Sequence, residues 1–405
     1  MHSEPRPWKQ SPTSDKKRGG YEKASCVCPT CDGDARCVSI RQRWVDSLLG
    51  PLQVRRHYYH CHKCRRGLCP RDKTLGLGKR KFSPAAAQVV SIAGVQTSFA
   101  QSSEVTLRKL CGLKVSESTV ERVTEDAGER LKSLLAEGET FGNTEPFAWQ
   151  RDAHGKTCAY VSLDATGVRQ QGPRGAQAEG RMAYVGMVYN TNSEHDERMP
   201  DPHSVRYLSG FYELPELGRQ LRRQAAAVGW DEAEQQIAIS DGGAGLEEFL
   251  RVHFPCAERI LDFWHASEYL VELSQSLYPD DEEHRTAQLA SWCHRLKHQG
   301  GLSIVWMLQS LEKTNWSSAQ REAHATCLRY FQNHQHKMNY PRYVAHGWQI
   351  GSGPVESACK TVVAGRLKQS GMRWSQHGSN AVCHLRALYL SQRGCWEDYW
   401  QKYAA

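Results

Sequence analysis

Between Lys156 and His265 the chain changes its hydrophobic period, and the order of elements there limits the fold more than any other feature. The runs TCAYVSLD, MAYVGMVYN and SVRYLSG are rich in Val and Tyr and alternate in polarity, so they predict three neighbouring strands. LPELGRQLRRQAAAVGW then has the pattern of an amphipathic helix, and QIAISD that of a short buried strand. GAGLEEFLRVHF follows as a helix, and AERILDFWH as a strand running into another helix. Three strands in succession, then alternating helix and strand, predict an α/β domain.

That order is the one expected of an RNase-H-like core, and three acids fall at its junctions. Asp164 closes the first strand in VSLDATG, and Asp241 follows the fourth in IAISDGGAG. Glu356 opens a helix after the glycine turn of QIGSGPVESACK. A carboxylate held by a sheet has its direction set before any ligand arrives. Three that converge in the fold repel one another and require a counter-ion. Two Mg²⁺ ions roughly 4 Å apart, with Mn²⁺ as the alternative, are the usual answer and serve in-line attack on phosphodiesters. In that scheme Asp164 bridges both ions, and Asp241 and Glu356 each hold one; oxygen donors throughout favour Mg²⁺ over zinc. Each acid also has an ordinary reading. Asp before glycine caps turns, and Glu356 suits the first turn of a helix.

Asp241 and Glu356 stand 115 positions apart, far more than one connection needs. Residues 269–345 fill the gap with helical periodicity, as in HASEYLVELSQSL and AQREAHATCLRYFQNH, and predict an all-helical insertion. Beyond it, Lys360 falls on the same helical face as Glu356, and Arg366, Lys368 and Arg373 extend a basic surface suited to DNA. Trp348 and Trp374 suit either stacking on bases or core packing.

Near the N-terminus, seven of the fifteen cysteines crowd between Cys26 and Cys69. Cys28-Pro-Thr-Cys31 and Cys61-His-Lys-Cys64 form two C-x-x-C knuckles with 29 residues between them. Two residues between thiolates let one tight turn aim both sulfurs at a single ion, so two knuckles predict a structural, tetrahedral Cys₄ zinc site. VSIRQRWV and QVRRHYYH supply two short strands between the knuckles, a zinc-ribbon pattern. Cys26, Cys37, Cys69, His60 and His62 lie near enough to be substitutes, and free thiols are the competing reading.

From Phe82 to about Leu135 the chain reads helical, with Gly112 ending one helix and Ser116 capping the next. Helix-turn-helix DNA reading and plain packing or dimer contact both fit; Glu117, Glu121, Glu125 and Asp126 favour the second. Residues 1–82 carry 19 Lys/Arg against 7 Asp/Glu, a formal +12, whereas the whole chain is +8, which leaves −4 beyond. A cationic N-terminal part suits phosphate-backbone binding; a solvated basic tail is the bland alternative. No apolar run reaches the roughly 18 residues of a membrane span, and the polar N-terminus has no secretory character.

The series DATG, SDGGAG, LDFWHASEYL, NYPRYVAHGWQIGSGPVESACKTVV and GRLKQSGMRWS resembles bacterial insertion-sequence DDE transposases of the Kra type, relatives of the Mutator-like elements. The likeness spans roughly residues 150–395 and is most specific in IGSGPVESACK. It departs at DATG, where the family commonly has DGTG. The resemblance implies that Asp164, Asp241 and Glu356 are a catalytic triad, with Asp262 and His265 as a D-x-x-H signature beside it. It further implies an enzyme of the cytoplasm and nucleoid that cuts and joins DNA, working as a homodimer or higher assembly. The partners would be the double-stranded inverted-repeat ends of the element and target DNA. A non-catalytic DNA-binding derivative and a structure-selective nuclease are the competing expectations. The expected division is a disordered basic arm (1–25), a zinc-ribbon-like module (26–80) and a helical DNA-binding or dimerisation domain (81–145). The core would then comprise 146–268 and 346–405, interrupted by the insertion at 269–345.

Overall fold

A computed structural model describes residues 24–77, 81–142, 144–191, 199–243 and 245–404. The basic arm expected over residues 1–25 lies, as far as residue 23, outside them. The described residues divide into two compact units, one of those up to residue 88 with those from 401, the other of those within 89–400.

The first unit holds an antiparallel sheet of order β1-β2-β3-β4, with β1 at Ser25–Val27, β2 at Asp34–Ser47, β3 at Gly50–Cys61 and β4 at Gly67–Leu68. The two strands expected to be short are 14 and 12 residues long and pair from Ala35↔Cys61 to Ser47↔Gly50, a ribbon extending well past the knuckles. A short helix α1 (Pro70–Thr74) covers one ribbon face, where Asp72 pairs with Arg43 and Arg56. Helix α2 (Pro84–Gln96) crosses from this unit into the next.

In the second unit α3 (Phe99–Gln101) continues as a π-helical stretch to Leu110 before Gly112, at φ +68°, turns the chain. Only glycine adopts that left-handed backbone without strain. Helix α4 (Glu117–Glu137) follows from Ser116, whose hydroxyl faces Thr119 Oγ1 at 2.9 Å instead of capping a backbone N–H. Val120, Val123, Ala127, Leu131 and Leu135 on α4 are buried. A Cβ at Gly128 would lie 2.3 Å from the carbonyl oxygen of Ala381. The apolar face of α4 is thus buried, and Glu121 and Asp126 are exposed.

The central sheet has the order β7-β6-β5-β8-β9. Strand β6 (Gln177–Thr191) is antiparallel to both β5 (Cys158–Gln171) and β7 (Pro200–Gly210), whereas β8 (Gln235–Ser240) and β9 (Glu258–Leu261) run parallel to β5. Helix α5 (Leu214–Ala227) joins β7 to β8, and α6 (Leu246–His253) joins β8 to β9. Along β6, Val185, Met187 and Tyr189 enter the main apolar core, while Gly186 between them meets Leu217 and Leu221 of α5. Both faces are covered, so β5 is buried without interruption from Cys158 to Leu163, where the expected alternation would leave every second residue exposed.

The insertion is helical as expected: α7 (Phe263–Leu277), α8 (Glu282–Gln299), α9 (Gly301–Ser310), α10 (Ser318–His334) and α11 (Tyr340–Ala345). It is not a separate lobe. Leu270, Leu296, Ile304 and Phe331 share one core with Ile239 and Leu261 of the sheet, and Tyr340 donates to the Leu261 carbonyl at 3.0 Å. The chain then forms α12 (Gly353–Ala358), a π-helical stretch (Cys359–Ala364), α13 (Gly365–Leu367), α14 (Gln376–Leu390) and α15 (Cys395–Ala404). Among the described residues no helix is long and apolar enough to cross a membrane.

Candidate active site

The three acids reach one place by different routes. Asp164 is not at a strand end. It sits midway along β5, opposite Val185 of β6, just beyond Ser162, the last residue of β5 that pairs with β8. One edge of β5 is therefore free at Asp164, because β8 has already turned away. Asp241 is the first residue after β8, and Glu356 lies in the first turn of α12. All three line a cavity of about 150 Å³, together with Asp262, Trp264, His265, Glu268 and Ser352.

Local bonds set the carboxylate directions. The Ala165 N–H donates to Asp164 Oδ1 at 2.6 Å, and the Cys359 thiol approaches Asp164 Oδ2 at 3.5 Å. The Gly243 N–H donates to Asp241 Oδ1 at 2.8 Å. Burial pushes the Asp164 carboxyl up, and the charges of Asp241 and Glu356 push the same way against those bonds. A carboxyl raised in the folded state takes up a proton between its unfolded and folded pKa values, so folding loses stability as pH rises through that window. Asp164→Asn is accordingly expected to raise the melting temperature of the metal-free protein at neutral pH, measured by calorimetry in EDTA. A lower melting temperature would mean that the carboxylate holds the fold together.

Asp262 caps α7 by accepting from the Trp264 N–H at 3.0 Å. Ser352 Oγ lies 2.7 Å from Asp262 Oδ2 and 2.8 Å from Glu356 Oε1. One hydroxyl proton serves one acceptor, so the second contact needs a proton on a carboxyl. Burial pushes the Asp262 carboxyl up and the Glu356 charge adds to the effect, against the bonds from Ser352 and Trp264. His265 turns its Nδ1 to Glu268 Oε2 at 3.0 Å, and its ring meets Tyr269 and Tyr330 edge-on. Sequence reasoning missed Trp264, Glu268 and Ser352. Glu268 had a signal, three residues past His265 on one helix.

The donor set is made of carboxylates, which suits a hard, oxygen-seeking cation such as Mg²⁺. Among the described residues only the cysteine cluster brings three or more ligand atoms all within 4.8 Å of one another. The carboxylates share a cavity without closing to that distance.

The expected basic surface is divided. Lys360, Lys368 and Arg373 are exposed, and Lys368 donates to Thr166 Oγ1 at 3.0 Å beside a groove of about 620 Å³. Arg366 corrects the expectation, because it is fully buried. Its guanidinium lies 4.7 Å from the rings of both Phe99 and Trp374, and its Nε donates to the Gly94 carbonyl at 2.9 Å. Arg386 likewise reaches the Val95 carbonyl. The two cations serve the last carbonyls of α2, where the helix dipole is negative. Trp348 and Trp374 are buried as well, donating to Asp152 Oδ2 at 3.2 Å and to the Leu367 carbonyl at 3.1 Å, so both are packing residues.

In the first unit, Cys28, Cys31, Cys61 and Cys64 gather with all sulfurs within 4.8 Å, a set that can hold a structural zinc. Cys28 Sγ is 3.6 Å from Cys64 Sγ, and Cys31 Sγ is 3.5 Å from Cys61 Sγ. The Thr30 backbone N–H holds the Cys28 thiol down to about 6, and that of Cys64 lowers Cys61, as turns that support thiolates do. The nearby alternatives stay outside the cluster. Cys37 Sγ faces His57 Nδ1 at 3.5 Å, His60 and His62 pack edge to face, and Cys69 stands at the start of α1.

No protein-family model matches the chain, and no curated protein matches it.

Proposed function

We propose that this chain is a DDE-type DNA transposase with an RNase-H-like core, cutting and joining DNA at the ends of a mobile element. The observation that carries the reading is the meeting of Asp164, Asp241 and Glu356 at one cavity from a strand, a strand end and a distant helix. The sheet order, three antiparallel strands followed by two parallel ones, suits that core. Asp164, Asp241 and Glu356 would hold Mg²⁺, or Mn²⁺ in its place. Such ions supply activation of the attacking water or 3′-OH and stabilise the leaving oxygen. Ala165, Gly243 and Ser352 keep the carboxylates aimed into the cavity. Lys368, at the neighbouring groove, would hold the DNA backbone.

End recognition would fall to the cysteine unit. A two-stranded ribbon fits the major groove, and glutamine and arginine match adenine and guanine edges there. The ribbon face away from α1 exposes Gln42, Trp44, Gln53 and Arg55, with Gln53 donating to Gln42 at 2.8 Å. The protein would act in the cytoplasm, on the nucleoid, as a homodimer or larger assembly on DNA.

The test incubates purified protein and Mg²⁺ with labelled element ends and a target plasmid. Nicked and joined products support the transposase. Hydrolysis without joining favours a nuclease, and tight binding without products favours a DNA-binding derivative. Two basic residues separate surface from interior. Lys368→Ala is expected to weaken DNA binding and reduce its salt slope by about 1, with no change in melting temperature. Arg366→Ala is expected to destabilise the fold by about 3 kcal/mol, through lost cation–π contact and an unpaired carbonyl. Unfolding and salt-titration curves on both variants check the pair.

A further inference from the structure

A second cavity, of about 610 Å³, opens on the other side of Trp264 from the acids. Trp264 lines both spaces. Its side chain is unusual for so large an apolar group: the residue is 67% exposed. Its backbone N–H is tied to Asp262, and Gly351 lies against its edge, where a Cβ would stand 3.0 Å from Cδ1 and 3.1 Å from Nε1. Across the cavity, α8 presents His294, Lys297 and His298, all exposed, with the two imidazoles 4.4 Å apart. No acidic side chain among the described residues lines this space, although the adjoining cavity is rich in them.

We infer that this cavity receives one unpaired nucleobase of the DNA strand, stacked on Trp264, beside the phosphodiester held at the acids. The inference rests on the proposed function in taking DNA as the ligand. A flat, exposed indole offers a stacking platform for any base, and a base has a face for it whatever its sequence. Lys297 and the two histidines match the phosphates flanking that base, and an apolar peptide would have no use for them. A volume of this size falls in the range of small-ligand sites and accommodates a nucleotide. The continuity of the two cavities through one side chain gives the base a place to go when the backbone is drawn to the carboxylates. The helical insertion thereby acquires a role in the same chain, supplying through α8 the Lys297 cation and two imidazoles that line the space with Trp264.

The test uses the full chain carrying Asp164→Asn, in EDTA, so that it does not depend on cleavage. Two fluorescent ten-nucleotide probes are compared by anisotropy, one of thymidines and one of abasic deoxyribose phosphates. Trp264→Ala is expected to weaken the thymidine probe about tenfold and leave the abasic probe unchanged, with Trp264→Phe restoring most of the loss. A thymidine strand containing one 2-aminopurine gives a local readout, its quenching on binding being relieved by Trp264→Ala. Lys297→Ala is expected to weaken both probes alike. Equal affinities for wild type and Trp264→Ala, with unchanged quenching, would overturn the inference. So would an equal loss for both probes, which marks a structural effect. Failure of metal-dependent nicking with the Trp264 signal intact would sink the cleavage reading and leave the base site standing.

Discussion

Asp164→Asn is expected to lower Mg²⁺-dependent nicking about a thousandfold or more, while duplex binding stays within about twofold. The substitution keeps the shape of the side chain, so the Ala165 N–H can still donate to its oxygen and β5 is undisturbed. What it removes is charge. An amide offers one neutral oxygen where a carboxylate offers two that share a full negative charge, and a hard cation between like carboxylates depends on that charge. Glu356→Gln should behave alike, since the glutamine Oε1 can still accept from the Ser352 hydroxyl while the charge is lost. Mg²⁺ should raise the melting temperature of the wild type and of neither variant. Quantified nicking of a supercoiled plasmid, beside gel-shift affinities for the same DNA, decides the matter. Nicking retained by Asp164→Asn would end the assignment, and equal loss of nicking and binding would assign the residue to structure.

The other large effect belongs to the cysteine unit. Its buried cluster is small: Cys28, Ala35, Tyr59 and Cys61, with a few half-buried neighbours. So little apolar area cannot offset the chain entropy of a long ribbon, whereas structural zinc supplies an apparent free energy on the order of 10 kcal/mol. Cys61→Ser, or prolonged chelation, is expected to remove about one zinc per chain and to expose residues up to about 88 to proteolysis. The unit formed by residues 89–400 has its own core and should keep its melting transition. Affinity for element ends should collapse, while nicking of non-specific plasmid persists. Metal analysis, limited proteolysis and end-binding titrations check each part. A variant that keeps its zinc, or one that loses it and binds ends as before, would refute the link between zinc and recognition.

The acids were legible because they interrupt strong patterns. Asp164 breaks a Val- and Tyr-rich strand, Asp241 precedes a run of glycines and Glu356 follows one. Their partners were harder to read. Ser352 and Trp264 have no distinguishing spacing, and they matter only because the turn before α12 comes to lie against the start of α7, where the Phe263 N–H donates to the Ile350 carbonyl at 2.9 Å. Arg366 shows the opposite failure. Among Lys360, Lys368 and Arg373 it has the look of a surface cation. Its fate depends on α2, some 270 positions earlier, ending beneath it with unsatisfied carbonyls.

Periodicity and spacing by themselves determined the α/β class, the order of strands and helices in the core, the helical nature of residues 269–345 and the four cysteines that gather. These follow from local preferences: side-chain alternation, apolar stripes and the short reach of a C-x-x-C turn. Tertiary structure alone decided which polar groups face one another, which cations are buried and that an exposed indole stands between two cavities. Those outcomes depend on contacts between residues far apart in the chain, such as the 90 positions from Asp262 to Ser352 and the 272 from Gly94 to Arg366, and such contacts leave no mark in the local pattern of either partner.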